Sequence, residues 1–205
     1  VNGNITLPNG VSTVIAGQTI TMTGASGTAT IAGNNGAASL TSNLIILAGA
    51  NTVTITGTFT YKTGTLTYTS GTVTTTGSTL NIGTSTTLNV GSMDGVTTNA
   101  WDNITIVLSS SSTITLSSNL NISGILTLTM ISGATTSTLS FAGVGTLNPS
   151  GNVTFNNQQN LGFTITLPNS ITTTNLTLNP TGGVNANITI NGNSISTTGN
   201  LSITG

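Results

Sequence analysis

Thr54-Ile55-Thr56-Gly57-Thr58-Phe59-Thr60-Tyr61 alternates hydroxyl-bearing and apolar side chains with a single glycine as interruption. A period of two places the apolar residues on one face of an extended strand and the threonines on the other. Shorter pieces of the same kind precede and follow it: Ile5-Thr6-Leu7, Thr19-Ile20-Thr21-Met22, Leu66-Thr67-Tyr68, Leu88-Asn89-Val90, Ile104-Thr105-Ile106 and Ile114-Thr115-Leu116. Further on come Leu126-Thr127-Leu128, Val153-Thr154-Phe155, Phe163-Thr164-Ile165, Leu176-Thr177-Leu178, Ile188-Thr189-Ile190 and Leu201-Ser202-Ile203. Gly, Asn and Ser separate most of them, and these residues supply turns and tolerate positive φ. No stretch sustains a 3.6-residue period, and Thr, Asn and Gly are poor helix formers. The chain reads as all-β.

Composition narrows the chemistry. Of 205 residues, 48 are Thr, 23 Ser, 26 Asn and 26 Gly, whereas only Lys62, Asp94 and Asp102 carry side-chain charge. With no His and no Cys, the usual acid–base residue, the thiol nucleophile and the common zinc and iron ligands are missing. One Lys and no Arg cannot neutralise a phosphate backbone, so nucleic acid is excluded as a partner. The strongest apolar run, Leu44-Ile45-Ile46-Leu47-Ala48-Gly49-Ala50, is too short for a transmembrane helix, and seven aromatics form no girdles of a membrane barrel. Membrane insertion is not expected. Disorder is not expected either: 35% of residues are apolar and net charge is −1, so nothing holds the chain expanded.

Strand pieces at this spacing suit a sandwich or a solenoid, and two observations favour the solenoid. Ile5-Thr6-Leu7-Pro8-Asn9 returns as Ile165-Thr166-Leu167-Pro168-Asn169, each followed by a β-branched residue at Val11 or Ile171. That offset of 160 residues is compatible with eight coils of about 20 residues each. The second observation is the missing charge. Equivalent positions in stacked coils lie about 4.8 Å apart, where two like charges repel by about 1 kcal/mol even in water. Uncharged Thr, Ser and Asn form hydroxyl and amide ladders there instead, while Val, Ile and Leu stack inside. The expected fold is a single parallel β-helix, a β-solenoid domain over residues 1–205 of about 8–10 coils. The alternative is a pilin-like β-sandwich completed by strand exchange, whose ladders would be antiparallel.

Gly64-Thr65-Leu66-Thr67-Tyr68-Thr69-Ser70-Gly71-Thr72-Val73 resembles repeat units of bacteriophage fibre proteins and bacterial β-helical surface adhesins. So do Trp101-Asp102-Asn103-Ile104-Thr105-Ile106 and Asn119-Leu120-Asn121-Ile122-Ser123-Gly124-Ile125-Leu126-Thr127-Leu128. The resemblance is clearest over 54–130. It implies a right-handed parallel β-helix serving as a rod or an attachment surface.

Individual residues give few candidates for chemistry. Asp94 and Asp102 are the only carboxylates, and paired acids drive glycan cleavage. Eight residues apart on a coil of about 20, they belong to different faces, and hydrogen bonding at turns is their expected role. A Ca²⁺ site would need several further oxygens. Eighteen Thr-x-Thr pairs, nine of them between Thr52 and Thr76, raise ice binding by a hydroxyl array; an ice face requires one pair per coil on the same strand. Trp101 is either a core filler or an exposed sugar-stacking platform, and the core is expected. Phe59, Tyr61 and Tyr68 are expected inside. The seven Asn-x-Ser/Thr sequons, beginning at Asn4, Asn103, Asn121, Asn152, Asn175, Asn187 and Asn200, are no more than the composition yields. No catalytic, cofactor-binding or metal-binding residue is assigned.

The chain starts Val1-Asn2-Gly3-Asn4, as a processed product or a piece of a longer protein would, and it runs to Asn200-Leu201-Ser202-Ile203-Thr204-Gly205 still in strand pattern. Open strand ends invite pairing, so continuation or stacking on another copy is expected. The functional expectation is a non-enzymatic structural rod without cofactors, in an extracellular filament, phage fibre or cell-surface adhesin. Its partners would be copies of itself, adjoining fibre segments or a host-surface glycan. An ice-binding module and a glycan-binding adhesin domain are the alternatives.

Overall fold

The computed structural model describes residues 5–6, 19–22, 28–33, 39–40, 43–61, 64–75, 79–82, 86–89, 101–116, 119–131 and 135–205. These residues hold 21 strands and no helix. Every strand pairing among them is parallel, which selects the solenoid over the sandwich.

The architecture is clearest from Asn103 onward. A first face is built by β9 (Asn103–Leu108), β12 (Leu126–Met130), β15 (Val153–Asn157), β18 (Leu176–Pro180) and β21 (Leu201–Ile203). The chain leaves each of the first four for a second face, β10 (Ser112–Leu116), β13 (Ser137–Gly143), β16 (Gly162–Thr166) and β19 (Asn187–Asn191). It then crosses to a third, β11 (Leu120–Ile122), β14 (Leu147–Pro149), β17 (Ile171–Thr173) and β20 (Ile195–Thr197), before returning to the first. About four turns are thereby completed. On the first face Ile104 lies over Leu126, then Val153, Leu176 and Leu201, so successive turns take 22, 27, 23 and 25 residues.

These turns are longer than the expected coil of about 20 residues, and they belong to a stack that ladders β4–β5, β5–β7 and β7–β9 continue toward earlier strands. Ile5 stacks on Ile31, and Ile165 on Leu139 and Ile190, so the repeated Ile-Thr-Leu-Pro-Asn strings do not mark eight equal coils. The corners explain the uneven count. Corner segments 123–125, 150–152, 174–175 and 198–200 take two or three residues, whereas the passage from first to second face takes three at 109–111, four at 158–161 and six at both 131–136 and 181–186.

Earlier strands pair in the same parallel manner. They are β1 (Ile5–Thr6), β2 (Thr19–Met22), β3 (Thr28–Gly33), β4 (Ser39–Leu40), β5 (Asn43–Tyr61), β6 (Gly64–Thr74), β7 (Thr79–Ile82) and β8 (Thr86–Asn89). The decisive sequence stretch lies in β5, which pairs with β2 and β6 near Leu44, with β3 near Ile55 and with β7 near Phe59. Ladders β7–β9 and β8–β10 join this part to the later turns.

Period-two alternation becomes burial. In β9, Ile104, Ile106 and Leu108 are buried while Asn103, Thr105 and Val107 face out. In β15, Val153, Phe155 and Asn157 are buried. Inward columns such as Ile104, Leu126, Val153 and Leu176 run the length of the described turns as one continuous core. Each such side chain contributes about 1.5–3 kcal/mol on removal from water.

Candidate functional surface: ladders, a buried amide corner and a gap

Stacking converts sequence neighbours into columns. Asn103, Ile125, Asn152, Asn175 and Asn200 each immediately precede a register partner on the first face, so they form one column at its entry. Four of the seven sequons therefore coincide. The amides join rung to rung: Asn175 Nδ2 donates to Asn152 Oδ1 at 2.8 Å, and Asn175 Oδ1 accepts from the Asn200 N–H at 2.8 Å. Asn103 Oδ1 accepts from the Ile125 N–H at 2.9 Å. Composition concealed this ordering. Aligning Asp102-Asn103-Ile104-Thr105, Gly151-Asn152-Val153-Thr154, Thr174-Asn175-Leu176-Thr177 and Gly199-Asn200-Leu201-Ser202 would have exposed it.

Beside it stand Thr105, Thr127, Thr154, Thr177 and Ser202 in strict register. The next outward column is Thr129, Asn156 and Asn179, closed by Asn156 Nδ2 to Thr129 Oγ1 at 3.1 Å and Asn179 Nδ2 to Asn156 Oδ1 at 3.1 Å. On the second face, Thr138, Thr164 and Thr189 stack beside Ser140, Thr166 and Asn191. This gives one hydroxyl or amide pair per turn over three turns.

Ladder register also explains the missing charge, and it can be tested. Thr154 and Thr177 are Cα partners on adjacent turns. A Thr154→Lys/Thr177→Lys double mutant is expected to be less stable than the sum of the single mutants by about 1 kcal/mol in dilute buffer. The excess should shrink in 1 M NaCl, and Thr154→Lys/Thr177→Glu should reverse its sign. Additive losses in urea unfolding would refute the ladder account.

The most heavily engaged polar group is buried at the corner between β15 and β16. Asn157 is fully buried; its Nδ2 donates to the Leu161 carbonyl at 2.6 Å and the Asn187 carbonyl at 2.8 Å, and its Oδ1 accepts from the Gln159 N–H at 3.2 Å. Gln159 Nε2 in turn donates to the Gly162 carbonyl at 2.7 Å. These amides take the place of water at a corner the backbone could not close alone. Their capacity is spent internally, which makes the corner a structural plug.

Trp101 is buried and forms an isolated bridge to Ile122, so the ring is no sugar platform. Its Nε1 has no hydrogen-bond partner among the described residues. Asp102 is half-buried beside it: its N–H donates to Thr75 Oγ1 at 3.1 Å and its carbonyl accepts from the Gly124 N–H at 2.6 Å. Asp94, Lys62 and Asn4 lie outside the described residues, so a pairing of Asp94 with Asp102 is not addressed. Tyr68 is buried as expected, while the side chains of Phe59 and Tyr61 lie outside the description.

The third face is interrupted. β14 pairs with β11 and β17 pairs with β20, but β14 and β17, in neighbouring turns, share no ladder. Asn169 occupies one end of the gap: its Oδ1 accepts from the Leu147 N–H at 2.7 Å and its Nδ2 donates to the Leu147 carbonyl at 3.2 Å. At the other end the Thr174 N–H donates to the Gly151 carbonyl at 2.9 Å, and Thr173 Oγ1 donates to the same oxygen. Between these bridges lies Pro149, which has no N–H to offer a neighbouring strand and is confined to sheet edges for that reason. An open groove of about 470 Å³ results. Sequence reading did not find it; a proline inside the strand-like Leu147-Asn148-Pro149 was the available signal.

Comparison with protein-family models, with curated proteins and with solved structures yields no match.

Proposed function

We propose that this chain is a non-enzymatic structural rod, a β-solenoid segment of an extracellular filament, phage fibre or surface adhesin. The reading rests on one observation: parallel in-register ladders continue from turn to turn over an unbroken apolar core. Such a stack resists bending because every rung is tied above and below by backbone hydrogen bonds and packed side chains. Its outer columns are hydroxyls and amides, so hydration and stiffness hardly depend on pH or salt. Negative-stain electron microscopy of the purified chain tests it. Rods or filaments of constant width are expected, in both 50 mM and 1 M NaCl; compact monomers at every concentration would remove the reading.

The paired columns of the second face raise ice binding as a second reading: Thr164/Thr166 is a Thr-x-Thr pair, and Thr138/Ser140 and Thr189/Asn191 stack on it with a hydroxyl or an amide in place of the second Thr. Thermal hysteresis lost in Thr164→Lys supports it. Its absence in the wild-type protein rejects it.

A further inference from the structure

The first face carries an apolar patch among its polar ladders. The outward row of β12, extended by one residue at each end, reads Ile125, Thr127, Thr129, Ile131, and Val107 on β9 is the Cα partner of Thr129. Ile125 and Ile131 are each 46% exposed and Val107 43%, so two neighbouring turns leave three large apolar side chains in water on one face. Elsewhere Leu47, Val144 and Val184 are exposed singly. Around the patch the face is polar, uncharged and unbroken. The column containing Thr127 extends in register to Ser39 in one direction and Ser202 in the other, across eight described strands of which β9 and β12 are the fourth and fifth. None of those strands contains a charged residue. The amides of Asn152, Asn156, Asn175 and Asn179 are already tied from turn to turn.

We propose that this face pairs side by side with the same face of a second copy of this chain, the patch of Val107, Ile125 and Ile131 forming the middle of the contact. A second copy is the partner the geometry fits. Strands repeat about every 4.8 Å, and another copy has the identical pitch, so ridges and grooves stay in step along the whole contact. A two-fold axis makes such a contact self-complementary. Eight strands, each contributing about 17 Å of its length, present roughly 600 Å² per copy. The pair would bury about 1,200 Å² in all, at the lower end of specific interfaces. An apolar middle within a polar rim is the arrangement such interfaces have. Amides held in ladders lose little further freedom on docking, and no strand brings like charges together across the contact.

The proposal goes beyond the rod reading and stands apart from it. Sedimentation velocity of the full chain is the test. A reversible monomer–dimer equilibrium is expected, with a dissociation constant on the order of 10 μM. Ile131→Lys should weaken it about tenfold or more by setting like charges near one another. Ile131→Ser, which removes the apolar contact without adding charge, should weaken it about 3–10-fold. Thr164→Lys, on the second face, should leave it unchanged. Because Ile131 is exposed, both of its variants should melt with the wild-type chain. Monomers at every concentration, a dimer indifferent to both Ile131 substitutions, or one weakened equally by Thr164→Lys would each overturn the proposal. Dimers whose micrographs show no rods would remove the rod reading alone; rods one solenoid wide that Ile131→Lys leaves unchanged would remove the pairing alone.

Discussion

Asn157→Asp is expected to lose about 4 kcal/mol or more of unfolding free energy at pH 7. The replaced amide donates to two buried carbonyls, Leu161 and Asn187, and an ionised carboxylate can donate to neither. Each orphaned acceptor costs about 1–3 kcal/mol, and a buried charge facing two carbonyl oxygens adds to that. Burial and those carbonyls raise the folded-state pKa of the introduced acid above its unfolded value of about 3.9. The variant therefore binds a proton more tightly when folded, and its stability is greatest below that unfolded pKa. It falls as pH rises toward the folded pKa. Denaturant unfolding at pH 3 and pH 7 reads this directly, because the wild-type chain has only three charged side chains and provides a nearly flat baseline. Equal losses at both pH values would show that the corner opens to water.

Gly151→Val is expected to cost more than about 3 kcal/mol, beyond ordinary overpacking. A Cβ at Gly151 would fall inside the van der Waals radius of the Gly124 carbonyl oxygen in the turn below, a backbone atom. Neither chain can retreat: Ser150 N–H is bonded to the Ile122 carbonyl at 2.8 Å and Leu126 N–H to the Asn152 carbonyl at 2.9 Å on either side. Gly199 occupies the same column in the last described turn, where a Cβ would meet the Asn175 side chain and the Thr174 carbonyl at 2.8 Å. Gly199→Ala should be milder, since the backbone oxygen its Cβ would meet lies farther away than at Gly151. A Gly151→Val chain as stable as the Gly199→Ala chain would mean that this corner is loosely held.

The parallel stack was legible because two independent signals agree. Alternation in pieces such as Ile104-Thr105-Ile106 gave the strands, and the near-absence of charge gave their stacking. Coil length was not legible. It is set largely by corners such as 158–161 and 181–186, which need only bridge two faces and so carry no periodic constraint. A single long-range match between residues 5–9 and 165–169 could not reveal turns of 22 to 27 residues. The Asn column required the true register before its members could be seen as neighbours. The gap required more still, since Asn169 meets Leu147 only because a separation of 22 residues completes a turn.

The unequal passages from first to second face have a practical consequence. Segments 109–111 and 181–186 both join the first face to the second and already differ in length, while the strands on either side keep their register. Foreign peptides grafted at 181–186, next to the fully exposed Val184, would be displayed outward without shifting a rung. Placed at 109–111 and 181–186 together, they would form a pair of epitopes or tethering points along a single seam.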